Sequence, residues 1–258
     1  MPNSDLIENS SYSGYLPSAK GRSSAAKQLH PLDNPILNSL LTEHSSLAIS
    51  NRLARRYPAA IGPLSGIAEQ SDANYEALRV LAGPDGVVVL FCTERPAPPA
   101  GWTLIRGGIL TQMVCEQPPA GVAIELPRGE VLRPLNAADV PEMVALAELT
   151  EPGPFRERTI ELGAFFGIFE SGRLVAMAGE RTHLPHHVEV SAVCTHPDAR
   201  GRGYARMLIA TVMEEITGRG KTPYLHSFAD NHPAVRVYER LGFRQRRTFE
   251  LAVLKNEA

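Results

Sequence analysis

The second half of the chain predicts a mixed α/β fold. Apolar and polar side chains alternate over residues 188–195, as they do in a strand that is buried on one face. From Ala205 to about Thr217, apolar residues recur every three or four positions, which predicts an amphipathic helix. A second strand over 223–228 and a second helix over 233–241 follow, so strands and helices alternate along this part of the chain.

The other elements of this half follow from the same patterns. Residues 163–170 and 174–180 flank the turn Ser171-Gly172-Arg173, which predicts a hairpin. Strands are also predicted over 130–135 and 243–254, a helix over 137–149, and a short helix over 155–162.

The first half contains recognisable elements but no motif that specifies chemistry. Apolar spacing between residues 34 and 57 indicates helical segments, and residues 77–81 indicate a short helix. Residues 86–92 have the continuous apolar character of a buried strand, and 102–115 return to alternation. This half is therefore predicted to be a separate α/β unit.

Four segments describe the organisation of the chain. Residues 1–28 are rich in Ser and Asn and lack an apolar core segment, so we expect a flexible tail that is neither a signal peptide nor a membrane span. The Pro-Pro-Ala-Gly run at 118–121 marks a boundary. It separates an N-terminal domain over 29–120 from a linker over 121–129 and a second domain over 130–258.

Composition excludes several classes of partner. The 26 basic and 28 acidic residues give a net charge of -2, so no overall field recruits nucleic acid or an anionic membrane. The three cysteines are too scattered for a disulfide framework or a zinc site, which fits a reducing cytoplasm. Three histidines at the turn 183–187 are expected to be solvated, and no metal is predicted.

The turn over 200–206 is a candidate anion site. Gly201 and Gly203 let the backbone approach a ligand closely, and the following helix presents unpaired N–H groups and a partial positive charge. Arg200, Arg202 and Arg206 add full charges. Two glycines can also do no more than make a strand-to-helix turn, and this turn lacks the third glycine of a dinucleotide site and the lysine of a P-loop.

Two motifs at a fixed separation resemble the GNAT superfamily of acyl-CoA-dependent N-acyltransferases. They are R-x-x-G-x-A at 200–205 and N-x-P-A-x-x-x-Y-x-x-L-G-F at 231–243. The resemblance covers about residues 130–258 and implies a splayed mixed sheet. It also implies that acetyl-CoA is bound through its pyrophosphate by Arg200, Gly201, Arg202, Gly203, Tyr204, Ala205 and Arg206, and that its acyl carbonyl contacts the backbone of Val193, Cys194 and Thr195.

The same resemblance assigns roles to three further side chains. Asn231 matches the asparagine that contacts the cofactor, and Tyr238 matches the tyrosine that protonates the departing thiolate. Glu189 lies eleven residues before Arg200, the spacing of the general base in the histone-acetyltransferase branch. The residues alone leave other roles open: Tyr238 as a core side chain, Glu189 as a solvated carboxylate, and His226 either lining the acceptor pocket or serving a structural role.

The expected function is acetyl transfer from acetyl-CoA to a primary amine in a ternary complex. A base is needed because an alkylamine of pKa about 10.4 is almost entirely protonated at neutral pH. The alternatives are a non-catalytic acyl-CoA-binding regulatory module and, less favoured, a nicotinamide-dependent oxidoreductase. The resemblance further raises the hypothesis that the first half is a degenerate copy of the same fold, and the sequence leaves a homodimer open.

Overall fold

The computed structural model describes residues 30–119, 126–127 and 129–257. Within these ranges the helices are α1 (Pro35–Leu41), α2 (Asp72–Ala82), α3 (Val140–Thr150), α4 (Tyr204–Gly218) and α5 (His232–Arg240). The strands are β1 (Ile49–Ser50), β2 (Ala54–Arg56), β3 (Ser65–Ile67), β4 (Val87–Cys92), β5 (Trp102–Val114), β6 (Glu130–Pro134), β7 (Phe165–Glu170), β8 (Arg173–His183), β9 (His187–Thr195), β10 (Thr222–Phe228) and β11 (Arg244–Asn256).

One large open sheet organises the molecule. Its eight strands lie in the order β4-β11-β5-β10-β9-β8-β7-β6, and β1-β2-β3 form a second, small sheet. All neighbours in the large sheet are antiparallel except β9 and β10, which are parallel. The mixed α/β class and the splayed sheet are thereby confirmed.

Both halves of the chain build this sheet. Strand β5 lies between β10 and β11, and its register with β11 runs from Trp102 opposite Asn256 to Val114 opposite Arg244. Strand β4 pairs with the other edge of β11. The segments 29–120 and 130–258 therefore share one hydrogen-bonded sheet, while the predicted tail and residues 121–125 and 128 of the predicted linker lie outside the described residues.

Within the described residues, a strand–helix–strand unit whose two strands meet in parallel occurs once in each half. In the second half it is β9-α4-β10, with the two strands parallel. In the first half it is β3-α2-β4, joined by a parallel bridge between Leu64 and Val89. The strand that follows the first unit, β5, pairs with β10 of the second unit. The strand that follows the second unit, β11, pairs with β4 of the first unit. This repetition is what the degenerate-copy hypothesis requires.

The two faces of the large sheet bury different cores. The apolar stripe of α4, including Leu208 and Val212, packs on Val188, Val190 and Leu225. On the opposite face, segments of the first half pack on β11 and β5 through a cluster that includes Ile36, Leu40, Tyr57, Ile61, Leu110, Leu162 and Phe249. The periodicity of α4 thus positions the turn that precedes it against the sheet.

Most predicted elements are confirmed within a few residues, and two are wrong in part. Between 34 and 57 only α1 is an α-helix, because β2 instead forms backbone hydrogen bonds with β3. The predicted helix at 155–162 is reduced to a 3-10 turn, Thr159–Leu162. Its start is fixed by the Thr159 hydroxyl, which accepts a hydrogen bond from the Arg156 N–H at 2.7 Å. Local hydrogen bonds of this kind compete with helix formation.

Because β5 lies between β10 and β11, we predict that residues 126–258 expressed alone do not fold cooperatively. Removing β5 leaves two strands of the sheet without their shared partner. Co-expression with residues 1–119 should restore a single cooperative unfolding transition, measured by circular dichroism against denaturant. A cooperative transition of unchanged midpoint for 126–258 alone would contradict this account of the sheet.

Candidate functional site

The parallel strands β9 and β10 separate soon after they begin to pair. Their register is limited to residues 187–189 opposite 222–224. Beyond that point β9 contains a bulge, since the four residues from Ser191 to Cys194 lie opposite the three from Gly179 to Met177. Ala192 occupies the left-handed region with φ 51°. An extra residue in one strand bends it and leaves backbone groups unpaired, so a cleft opens here.

The bulge corrects the predicted alternation of β9. Val188 and Val190 pack on the core beneath α4, as predicted. Ala192 and Cys194, predicted on that same face, instead pack with the cluster around α3. Val193 takes their place against the α4 core. Because of the extra residue, the side chains that follow it lie on the opposite faces of the sheet from those predicted.

The turn before α4 has the geometry of an anion cradle. Gly201 and Gly203 have φ values of 79° and 83°, a region that favours glycine. A β-carbon on Gly201 would have no neighbour within 4 Å, and one on Gly203 would meet only the Met207 Cε, at 3.9 Å. Both glycines therefore border open space next to the start of α4, whose first N–H groups have no helical partner.

The side chains of the predicted cradle, residues 200–206, differ in whether they contact other parts of the protein. Arg206 is exposed, and Arg200 contacts the Thr195 carbonyl through Nε at 3.4 Å. Arg202 forms an ion pair with Glu170 at 2.9 Å, and the buried Tyr204 donates its hydroxyl hydrogen bond to Glu130. Ala205 is half-buried. The engaged pair braces the turn against β6 and β7.

The two residues predicted on α5 lie at its start and on its inner side. Asn231 is exposed and caps the helix, its Oδ1 accepting from the Ala234 N–H at 3.3 Å. Tyr238 is half-buried against the same core as Val193, with its ring 6.2 Å from that of Phe243. Burial raises the pKa of Tyr238 to about 12, so its hydroxyl stays protonated at neutral pH.

Cys194 is a buried apolar group and not a nucleophile. Its side chain packs with Leu135, Phe165 and Met177. Burial raises the pKa of the Cys194 thiol to about 11, and only the thiolate is reactive. Thr195 is half-buried at the end of β9. Group transfer through a covalent thioester on Cys194 is therefore disfavoured.

Glu189 lies at the apex of the cleft and is fully buried. Its Oε1 accepts from Arg181 Nη2 at 2.5 Å and from His226 Nδ1 at 2.7 Å. Its Oε2 accepts from Arg181 Nε at 3.0 Å and from the Thr182 hydroxyl at 2.6 Å. Tyr224 in turn donates to that hydroxyl. The solvated-carboxylate alternative is wrong, because each oxygen of Glu189 already accepts two hydrogen bonds.

The protonation of His226 follows from its neighbours. Gln112 accepts from Arg246 Nη1 at its Oε1 and donates from Nε2 to the Leu32 carbonyl. The same Nε2 lies 3.1 Å from His226 Nε2 and therefore donates to it. His226 accordingly carries its hydrogen on Nδ1 and donates it to Glu189. The structural role for His226 is favoured over a place in the acceptor pocket.

Opposing effects set the pKa of Glu189. Burial raises the pKa of this carboxyl, but the Arg181 guanidinium and His226 outweigh burial and hold the pKa well below its usual range. Burial lowers the pKa of His226, which keeps the imidazole neutral against the pull of Glu189. Glu189 is thus ionised, holds Arg181, Thr182 and His226 in place, and has a low affinity for a proton.

A small pocket lies beside the bulge, on the side away from α4. Its walls come from residues 152–155, Thr159 and Phe165, from Glu180 and Arg181 of β8, and from Ser191 and Ala192 of β9.

Among the residues that the structure describes, no group of three or more His, Cys, Asp and Glu could hold a metal ion.

The sequence did not single out Arg181, Thr182 or Gln112. One signal was available: Glu180 and Arg181 interrupt an otherwise apolar strand, and charged residues are seldom buried without partners. Arg181 and Thr182 bond Glu189 of β9, Thr182 also contacts Tyr224 of β10, and Gln112 contacts His226 of β10, so these contacts depend on the register of the shared sheet.

Comparison with known proteins identifies the family. Residues 165–252 match the family model described as FR47-like protein. A solved GNAT-family protein from Novosphingobium aromaticivorans is 42% identical, with a TM-score of 0.80, over 89% of this chain and 100% of that one. The chain belongs to the GNAT family of acetyltransferases. A GCN5-related N-acetyltransferase from Kribbella flavida shares the fold at 18% identity and a TM-score of 0.55, over 86% of this chain and 94% of that one.

A mycothiol acetyltransferase from Streptomyces bingchenggensis is similar over a shorter stretch. It is 38% identical over 81 residues, which are 31% of this chain and 26% of that protein. The matched region thus spans about a quarter of that relative's length. No helix among the described residues of this GNAT protein is long and apolar enough to cross a bilayer.

Because Glu189 holds three donors in place, we predict that Glu189→Gln lowers the free energy of unfolding by about 3–5 kcal/mol, since it leaves the buried Arg181 uncompensated. The measurement is urea denaturation. Glu161→Gln, which removes an exposed ion pair with Arg158, serves as the control and should cost less than about 1 kcal/mol. Unchanged stability with a large loss of turnover would instead make Glu189 a direct base.

Proposed function

We propose that this GNAT protein transfers the acetyl group of acetyl-CoA to a primary amine, directly and in a ternary complex. The observation that carries the proposal is the combination of an open glycine cradle before α4 with a bulged strand that ends beside it. Acetyl-CoA would supply the activated acyl group. The residues of this chain bind it, orient its carbonyl and handle the protons.

The cradle suits a pyrophosphate. Two left-handed glycines leave open space before the helix N-terminus, and any larger residue there would be strained and would narrow that space. The exposed Arg206 and the half-free Arg200 add positive charge near it. Arg202 and Tyr204 contribute by holding the turn in shape through Glu170 and Glu130.

The bulged strand and α5 suit the acyl end. Val193 lies in the bulge, and Cys194 and Thr195 follow it where β9 has left β10; their backbone groups are proposed to contact the thioester carbonyl. Asn231 uses its Oδ1 for the helix cap, which leaves its amide N–H₂ for the pantetheine. Tyr238 retains its proton and is the proposed acid for the departing thiolate.

We propose that Glu189 does not take the amine proton itself but anchors Arg181 beside the acceptor. Its oxygens are occupied and it does not line the pocket, so it acts on the acceptor side through Arg181. The proton itself is proposed to leave through water in the pocket. Mycothiol acetyltransferase, the name of a relative that matches in part, supports acetyl transfer as the chemistry.

To test the cradle, we predict that Gly203→Glu weakens CoA binding by about a hundredfold or more, because a carboxylate would occupy the place of a phosphate. Isothermal titration calorimetry gives the dissociation constant. Gly203→Ala has the same backbone strain without the charge, and it should lose much less affinity. Equal affinities for the wild type and Gly203→Glu would overturn the assignment of the turn.

A separate substitution tests the acid. Tyr238→Phe should lower kcat about 10- to 100-fold with an unchanged Kd for acetyl-CoA, since the ring still packs on Phe243 while the proton donor is lost. Turnover is followed by thiol release. If kcat were unchanged and only the melting temperature fell, Tyr238 would be a core residue.

A further inference from the structure

We infer that the acceptor carries a carboxylate next to its amine, and that Arg181 binds this carboxylate. The inference rests on the proposed acetyl transfer and names the substrate class for it: small amino acids. Its starting point is the pocket beside the bulge, which is lined by Arg181 together with Ser191 and Ala192.

Arg181 is held rigidly with donors to spare. Glu189 binds its Nε and Nη2 side by side, at 3.0 and 2.5 Å. The guanidinium also lies over the Phe91 ring, 5.6 Å from its centroid. Its Nη1 has no hydrogen-bond partner among residues 30–119 and 129–257, and 13% of the side chain is exposed. A planar guanidinium fixed on one edge presents its other edge to a ligand oxygen.

The other charged side chain of the pocket is already satisfied. Glu180 is fully buried, and its oxygens accept from Arg219 and from the Ala164 N–H, with His183 Nε2 3.0 Å away. The charged walls therefore offer an ammonium group no free carboxylate, and Arg181 repels it. An acceptor with an adjacent carboxylate matches this pattern, whereas a lysine side chain or a polyamine does not.

The pocket also limits the size of the acceptor. Pro152, Pro154, Phe155 and Phe165 make its walls largely apolar. Because Arg181 and the bulge line the same small pocket, an acceptor that reaches both holds its amine and its carboxylate close together.

The first half of the chain fixes this wall in place. The Thr159 hydroxyl donates to the Ile61 carbonyl at 2.7 Å, and the Arg158 N–H donates to the Ala60 carbonyl at 3.0 Å. Leu162 packs with Tyr57 and Ile61. The α3–β7 connection is thereby tied to residues 57–61, so this wall of the pocket is held in place.

The reaction balances without a further reactant. The zwitterionic amine first loses a proton to water, and its nitrogen then forms the bond to the acyl carbon. The carbon–sulfur bond breaks, the sulfur takes one proton and the nitrogen loses another. The products are an N-acetyl amino acid and CoA.

The wild-type enzyme tests the inference directly. Acetyl-CoA is mixed with alanine, alaninamide or ethylamine, and thiol release gives kcat/KM for each. Alanine should exceed the other two about tenfold or more, the value of one charge-assisted hydrogen bond. The intrinsic reactivity of the amines would give the opposite order, because the amine of alaninamide is less basic than that of alanine and a larger fraction of it is neutral. Equal or higher kcat/KM for alaninamide would overturn the role of Arg181 and leave acetyl transfer standing.

Variants locate the effect. Arg181→Gln should reduce the alanine-to-alaninamide ratio to about one through a higher KM for alanine, and Arg181→Lys should give an intermediate ratio. Arg156→Gln, an exposed arginine of the same connection outside the pocket, should leave the ratio unchanged. If Arg181→Gln does not fold, the wild-type ratio decides. Absence of both CoA binding and transfer to every amine would overturn the proposed function itself.

Discussion

The limited pairing of β9 with β10 is the constraint on which the rest of the site depends. Two parallel strands that share only three register positions leave unpaired backbone on both sides of the cleft. The bulge at Ala192 directs that backbone into the cleft, and the buried Arg181–Glu189 pair closes its apex. The glycine cradle and the small pocket are thereby held on opposite sides of one strand.

The first half of the chain completes the second rather than adding a separate site. It supplies β5, which lies between two strands of the second half, and it supplies Gln112, which fixes the tautomer of His226. It also ties down the connection that covers the pocket. The geometry at the apex of the cleft therefore depends on contacts between residues more than a hundred positions apart.

The sequence predicted the elements and motifs whose signals are local. The period of α4, the glycines at 201 and 203, and the 231–243 motif all mark structure within a few residues of themselves. The bulge was missed because one extra residue changes register without changing composition. The partners of Glu189 were missed because they come from β8 and β10, and the shared sheet was missed because strand order is not encoded in any single strand.

The proposed acetyl transfer requires that the cleft between β9 and β10 bind acetyl-CoA through the cradle before α4. The most direct measurement is calorimetric titration of the wild-type protein with acetyl-CoA, CoA and NAD. We expect micromolar binding of acetyl-CoA and of CoA, which share the pyrophosphate and the pantetheine, and no binding of NAD. Binding of NAD without binding of CoA would contradict it.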